Sequence, residues 1–230
     1  MDDRSQIKKV MALSISVYLF WFISTYLLEG RILTLLRPEA AADRIAFTVT
    51  ANIFVGIIIA GIIGFILFII QNPPSLNPIL IMNVYAQVLT VSVAEVVVCW
   101  AVIGAGFESL TRNKGKVISL LTGIFAAGIS FGLYHFAHSP PFNQINMVLL
   151  MMIVSFATSI VYFIGRDIYA AIVFHNTLAL FGVMQALEKS GNLISFSQPV
   201  YPLIAMALVS IIILVIFDIL YIRRKREVIE

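Results

Sequence analysis

The stretch Ser92-Val93-Ala94-Glu95-Val96-Val97-Val98-Cys99-Trp100 lies at the centre of an apolar segment from about residue 79 to 106, and Glu95 is the only charged residue in that segment. A helix needs about 20 predominantly apolar residues to cross the hydrocarbon of a bilayer. The segment exceeds that length, so it reads as a transmembrane helix. A carboxylate at such depth is costly, and it generally faces a partner or a cavity and serves a function. The same nine residues therefore set the fold class and mark a site.

Working outward, the whole chain has the same character. It is 60% hydrophobic and 12% charged over 230 residues, and its mean hydropathy is +1.00. A soluble domain is roughly 45–50% apolar and about 25% charged, so an ordinary soluble domain is excluded. Apolar segments fall at about 10–28, 45–70, 79–106, 117–138, 145–165, 168–187 and 200–222. Turn residues separate them, among them Asn72-Pro73-Pro74, Asn77-Pro78, Asn113-Lys114-Gly115 and Ser139-Pro140-Pro141. The expected fold is all-α: a polytopic transmembrane bundle of about seven helices (six to eight), forming a single integral membrane domain over 1–230. Residues 30–44 fit an interfacial amphipathic stretch or a plain loop. The run from residue 10 is longer than a signal-peptide core and is expected to be a retained helix.

Gly56, Ala60 and Gly64 recur every four residues, as do Gly128 and Gly132. Such spacing lets two helix backbones approach closely, within a bundle or between two copies. Basic residues cluster beside apolar segments, which fits membrane-edge anchoring and argues against a nucleic-acid partner. With seven helices, Arg4, Lys8, Lys9 and Lys189 fall on one side and the other eleven Lys and Arg on the opposite side. The positive-inside rule then puts the C-terminus in the cytoplasm of a multi-pass protein of the cell membrane. Cys99 is the only cysteine, so no disulfide forms within the chain.

Two histidines join Glu95. His135 lies in the fourth apolar segment and follows Phe131 by four residues, on the same helix face. His175 lies in the sixth, beside Asn176 and Thr177. His138 is one turn beyond His135, next to Ser139-Pro140-Pro141, and is expected at the interface with no role. Each group has a bland reading as a hydrogen-bonded packing residue; three together, on three segments, point to chemistry. Glu95, His135 and His175 can bind zinc and leave a fourth position for water. Alternatively, without metal, Glu95 takes a proton from water while the imidazoles bind the substrate carbonyl and its developing oxyanion. No serine or cysteine nucleophile with a base is evident, and no inverted repeat or pair of broken helices marks a transporter.

The order Glu95, then Phe131-Gly132-Leu133-Tyr134-His135, then His175 on a later helix resembles the CPBP intramembrane proteases, a family that includes the type II CAAX prenyl endopeptidases. The likeness spans about residues 90–185. It implies a protease-like core over about 79–187, with Glu95, His135 and His175 catalytic and Phe131 and Asn176 supporting. It also implies substrates that are membrane-associated peptides or lipidated proteins, including prenylated CAAX termini, met within membrane lipid. Val96 stands where the family pattern has a second Glu, Trp100 where it has Arg, and Ala179 where it has Asn. The alternative expectation is therefore an inactive relative acting as a membrane immunity or scaffold protein.

One geometric demand follows from these positions. Glu95 and His175 fall at middling depth on straight helices, whereas His135 lies near the end of its segment, away from the basic loop at 112–116. The fourth helix must tilt, start later or dip for the three to meet.

Overall fold

The computed structural model of the protein describes residues 53–138 and 140–219. The expected helix at 10–28, the stretch at 30–44 and the basic run Arg223 to Arg226 lie outside the described residues. Among those described, every regular element is a helix: α1 Ile53–Ile70, α2 Pro78–Glu95, a π-helical segment Val96–Gly104, α3 Ala105–Leu110, α4 Lys116–Tyr134, α5 Ile145–Gly165, α6 Ile168–Lys189 and α7 Tyr201–Phe217. Short 3₁₀ turns occupy Arg112–Lys114, His135–Ala137 and Leu193–Phe196.

Four spans are long and apolar enough to cross a membrane: Pro78–Leu110, Lys116–Ala137, Ile145–Gly165 and Ile168–Lys189. Val55–Ile70 and Tyr201–Phe217 are apolar but shorter. Each of the six expected segments from 45–70 onward thus holds a helix, and four of them reach full spanning length.

The helix starts follow from local chemistry. Asn77 caps α2, its Oδ1 accepting from the backbone N–H of Ile79 at 2.9 Å, with Pro78 opening the helix. Asp167 caps α6 in the same way, accepting from Tyr169 N–H at 2.9 Å and Ala170 N–H at 3.1 Å. Burial raises the Asp167 pKa, against the pull of these two donors.

Glycine sets how the helices pair. A methyl at Gly56 would meet Asp167 Oδ2 at 2.6 Å, and one at Gly64 would meet Thr177 Cβ at 2.9 Å. So α1 lies flush along α6, and the two run in the same direction. Gly128 and Gly132 face Ser155 and Met152 in the same manner, closing α4 on α5. Both small-residue stripes are used inside the chain.

Short connections alternate the helix directions and give the bundle two distinct ends. One end gathers the 111–115 loop, the Arg166–Asp167 turn and Asp218. There Arg166 makes a two-pronged ion pair with the buried Glu108, one prong at 2.7 Å, and Tyr169 donates its hydroxyl to Asp218 at 2.8 Å. Asp218 is buried. The other end gathers the 71–77, 140–144 and 190–200 connections. Asn83 ties the last of these down, donating to the carbonyls of Phe196 and Gln198 and accepting from Val200 N–H.

Pro78–Leu110 is 33 residues, roughly 50 Å of helix. Glu95 sits about 15 residues from its basic end and His135 about 20 residues beyond that loop, a difference of about 8 Å along an antiparallel hairpin. The side chains close that difference, one ligand atom of each lying within 4.8 Å of the other.

Candidate active site

Glu95 is the last residue of α2, and the chain widens into a π-helix immediately after it. The π turn is rare and is found mostly at functional sites. It shifts the side chains that follow. Trp100 now stands over the site, its ring 5.2 Å from His175 and 5.1 Å from Phe131. Its indole N–H donates to Ser159 Oγ at 2.8 Å.

His175, about two turns into α6, lies beside Glu95, and its Nε2 is 3.0 Å from Glu95 Oε2. Its Nδ1 is 3.1 Å from Thr158 Oγ1 on α5. A neutral ring satisfies both contacts when Nε2–H donates to the carboxylate and Nδ1 accepts from the hydroxyl. The imidazole is wedged between Trp100 and Phe131, the latter 5.0 Å away. Phe131 also packs edge-on against His135 at 4.5 Å.

His135 ends α4, and its Nδ1 is 2.8 Å from the Phe131 carbonyl oxygen. A carbonyl only accepts, so Nδ1 carries a proton, and in the neutral ring Nε2 is left as a lone pair. Beyond Tyr134 the helix tightens into a 3₁₀ turn, with His138 N–H donating to His135 O at 3.0 Å. In a 3₁₀ turn the side chains at i and i+3 eclipse. His135 and His138 therefore stack, their rings 4.9 Å apart and 24° from parallel.

That turn brings in the residue the sequence reading set aside. His138 Nε2 lies 3.8 Å from Glu95 Oε1, and it is buried without a hydrogen-bond partner. One ligand atom from each of Glu95, His135 and His138 lies within 4.8 Å of the others, close enough to hold a metal ion. The ligand set expected from sequence thus changes by one residue: His138 replaces His175, which instead grips the opposite carboxylate oxygen. Two donors about 2.0–2.1 Å from one tetrahedral zinc are some 3.3 Å apart.

Asn176, expected as a supporting residue, is turned off the site. Its Oδ1 accepts from Ser92 Oγ at 3.0 Å and its amide donates to the Tyr85 carbonyl at 3.1 Å. It clamps α6 to α2 one turn before Glu95. One residue along a helix is a rotation of about 100°, which is why it cannot share the His175 face. Cys99 is buried and free, and no histidine contact makes it a nucleophile.

The site therefore consists of one carboxylate with a fixed oxygen and an open one, facing two imidazole nitrogens. The chain matches no family model, no curated protein and no solved structure. Its functional reading rests on this geometry.

Proposed function

We propose that the protein is a multi-pass membrane hydrolase that cleaves peptide bonds of membrane-associated polypeptides with a water molecule activated at Glu95. The observation that carries the proposal is the asymmetry of the Glu95 carboxylate. His175 holds Oε2, while Oε1 is left facing His138 Nε2 at 3.8 Å with no donor between them. The order of Glu95, Phe131, His135 and His175 accords with the CPBP resemblance and supports a protease over other hydrolases.

Two forms of the site remain distinct by experiment. In the metal form, Glu95, His135 and His138 hold zinc. Zinc bound there would supply a Lewis acid for the scissile carbonyl and for water. In the metal-independent form, Glu95 takes a proton from water, the hydroxide adds to the carbonyl, and the protonated Glu95 returns the proton to the leaving amine. The His135 tautomer favours zinc. Its bare Nε2 is a ligand as it stands, but it stabilises an oxyanion only after taking up a proton.

The basic loop residues Arg112, Lys114 and Lys116 support a cytoplasmic position for their end of the bundle by the positive-inside rule. The run Arg223-Arg224-Lys225-Arg226 supports a cytoplasmic C-terminus by the same rule.

The test is proteolysis by the purified protein in liposomes against a panel of peptides and a farnesylated CAAX peptide, read by mass spectrometry, with zinc measured on the same sample. Cleavage that vanishes in Glu95→Gln is the expected result. Cleavage that survives Glu95→Gln sinks the proposal. A wild-type protein that holds no zinc and cuts no member of the panel favours the inactive scaffold.

A further inference from the structure

Water adding to a peptide carbonyl turns the carbonyl oxygen into an oxyanion. A donor held ready for that oxygen is usually among the largest contributions to such catalysis. Most donors around Glu95 are already engaged. His175 gives Nε2–H to Glu95 Oε2, and His135 gives Nδ1–H to the Phe131 carbonyl. The Trp100 indole donates to Ser159, and the Thr158 hydroxyl to His175. His138 Nε2 is turned on Glu95 Oε1 at 3.8 Å, where it serves the carboxylate or a metal.

Tyr134 is the exception. It is the last residue of α4, it is half-buried, and its hydroxyl makes no hydrogen bond to any described residue. Its ring stands edge-on to both histidines that follow it, 5.0 Å from His138 at 85° and 6.0 Å from His135 at 88°.

Helix register sets Tyr134 across from Glu95. The span Pro78–Leu110 and α4 run antiparallel, so one turn back along the first is one turn on along the second. Ser119 donates to the Glu108 carbonyl. A methyl at Gly123 would meet Glu108 Cβ at 3.0 Å, and one at Gly104 would meet Ala127 Cβ at 2.9 Å. The next turn sets the Cys99 thiol beside the Ser130 hydroxyl. One turn further brings Glu95 level with Tyr134. Glu95 and Cys99 are also the ionisable groups whose charge is felt at the Tyr134 hydroxyl.

We infer that Tyr134 is a catalytic residue of the Glu95 site, on the hydrolase reading above: its hydroxyl donates the hydrogen bond that stabilises the oxyanion of the tetrahedral intermediate. Glu95 takes a proton from water as the water oxygen bonds to the carbonyl carbon, and the carbonyl π pair moves onto its oxygen. Tyr134 hydrogen-bonds that oxygen and keeps its own proton. Collapse restores the carbonyl and breaks the C–N bond, and the proton held by Glu95 leaves with the amine. A phenol has one O–H to give, and the histidine pair packs against its ring.

The experiment compares the wild-type chain and Tyr134→Phe, purified and in liposomes. The substitution removes the hydroxyl and keeps the ring against His138. kcat should fall about 100-fold or more, as when one oxyanion donor is lost. KM, zinc content and thermal unfolding should stay as in the wild type. Affinity for a phosphinic peptide, whose tetrahedral phosphorus carries an anionic oxygen where the oxyanion forms, should weaken by a similar factor. A reduced peptide with CH2–NH in place of the amide should bind both proteins alike. A wild type that cleaves beside a Tyr134→Phe protein of unchanged kcat overturns the assignment and leaves the hydrolase reading standing. So does a loss of activity that comes with lost zinc or easier unfolding, which would make packing on His138 the cause. A wild type that neither cleaves a peptide nor binds the phosphinic peptide overturns the hydrolase reading and the assignment with it.

Discussion

Glu95 and His175 are 80 residues apart in the chain, yet in the bundle interior the imidazole Nε2 lies 3.0 Å from the carboxylate Oε2. Thr158 extends the line from the far side of the ring. The three residues come from three helices, and the carboxylate is aimed by a ring that is itself aimed by a hydroxyl. Such outer partners typically change metal affinity or activity by 10- to 100-fold when removed.

Thr158→Val tests this line with the least disturbance, because it removes a hydroxyl and keeps the shape. The ring loses the donor that holds its Nδ1 as acceptor. Activity should fall about tenfold, with stability lowered by about 1 kcal/mol. His175→Ala should cost more on both counts, since it also empties the space between Trp100 and Phe131. Parallel measurements of cleavage rate and thermal unfolding in detergent separate the two effects. A Thr158→Val protein with unchanged activity would show that His175 is held by packing alone.

His138 is expected to matter for metal and His175 for aim. Zinc content after dialysis should drop steeply in His135→Ala and His138→Ala and less in His175→Ala. The zinc-loaded protein should also lose metal on acidification, as protons compete with the ion for the imidazoles that hold it. Burial lowers the His138 pKa, more than the nearby Glu95 charge raises it. His138 therefore stays neutral, and able to bind, to a lower pH than a free histidine. Retention measured by atomic emission across pH 5–8 checks this. Equal retention in wild type and His138→Ala would remove His138 from the ligand set.

Gly104 is a stringent test of the packed layer above the site. Gly104→Ala forces a methyl against the Phe163 ring and Ala127, with the Gly123 carbonyl oxygen 3.1 Å behind. Overpacking of this kind costs about 1–3 kcal/mol. Gly115→Ala makes a useful contrast. Gly115 has open space around it, but its φ of 99° penalises any L side chain. Unfolding titrations of both variants should show loss of stability, with site disturbance confined to Gly104→Ala.

The Glu108–Arg166 pair pins the turn before α6 to the end of the third span. Glu108 is buried, and Ser119 Oγ donates to its backbone carbonyl. Arg166→Ala leaves that carboxylate buried without its cation. The loss should be about 2–3 kcal/mol, below the range for a fully buried pair because the guanidinium is partly exposed. Glu108→Gln together with Arg166→Ala should recover part of it. A double variant no more stable than Arg166→Ala would show that the pair does not act as a unit.

Much of this was legible in the sequence for simple reasons. Apolar length determined that the chain forms membrane-spanning helices, because hydrocarbon demands internally bonded backbone over a set thickness. The isolation of Glu95, His135 and His175 in apolar surroundings marked them as candidate site residues, because desolvating such groups is costly without a partner. Glycine spacing foretold the close helix pairs, though not which helices would use it.

Only the tertiary structure decided who meets whom. The sequence reading discounted His138 because its place beside Ser139-Pro140-Pro141 put it at the interface, whereas the 3₁₀ turn after Tyr134 stacks that ring on His135. The π segment after Glu95 likewise put Trp100 where an α-helix would have aimed another residue. Asn176 and His175 are neighbours in sequence and serve different faces of one helix. Turn geometry and helix register depend on packing between segments far apart in the chain, so local pattern alone could name the groups but could not assemble the site.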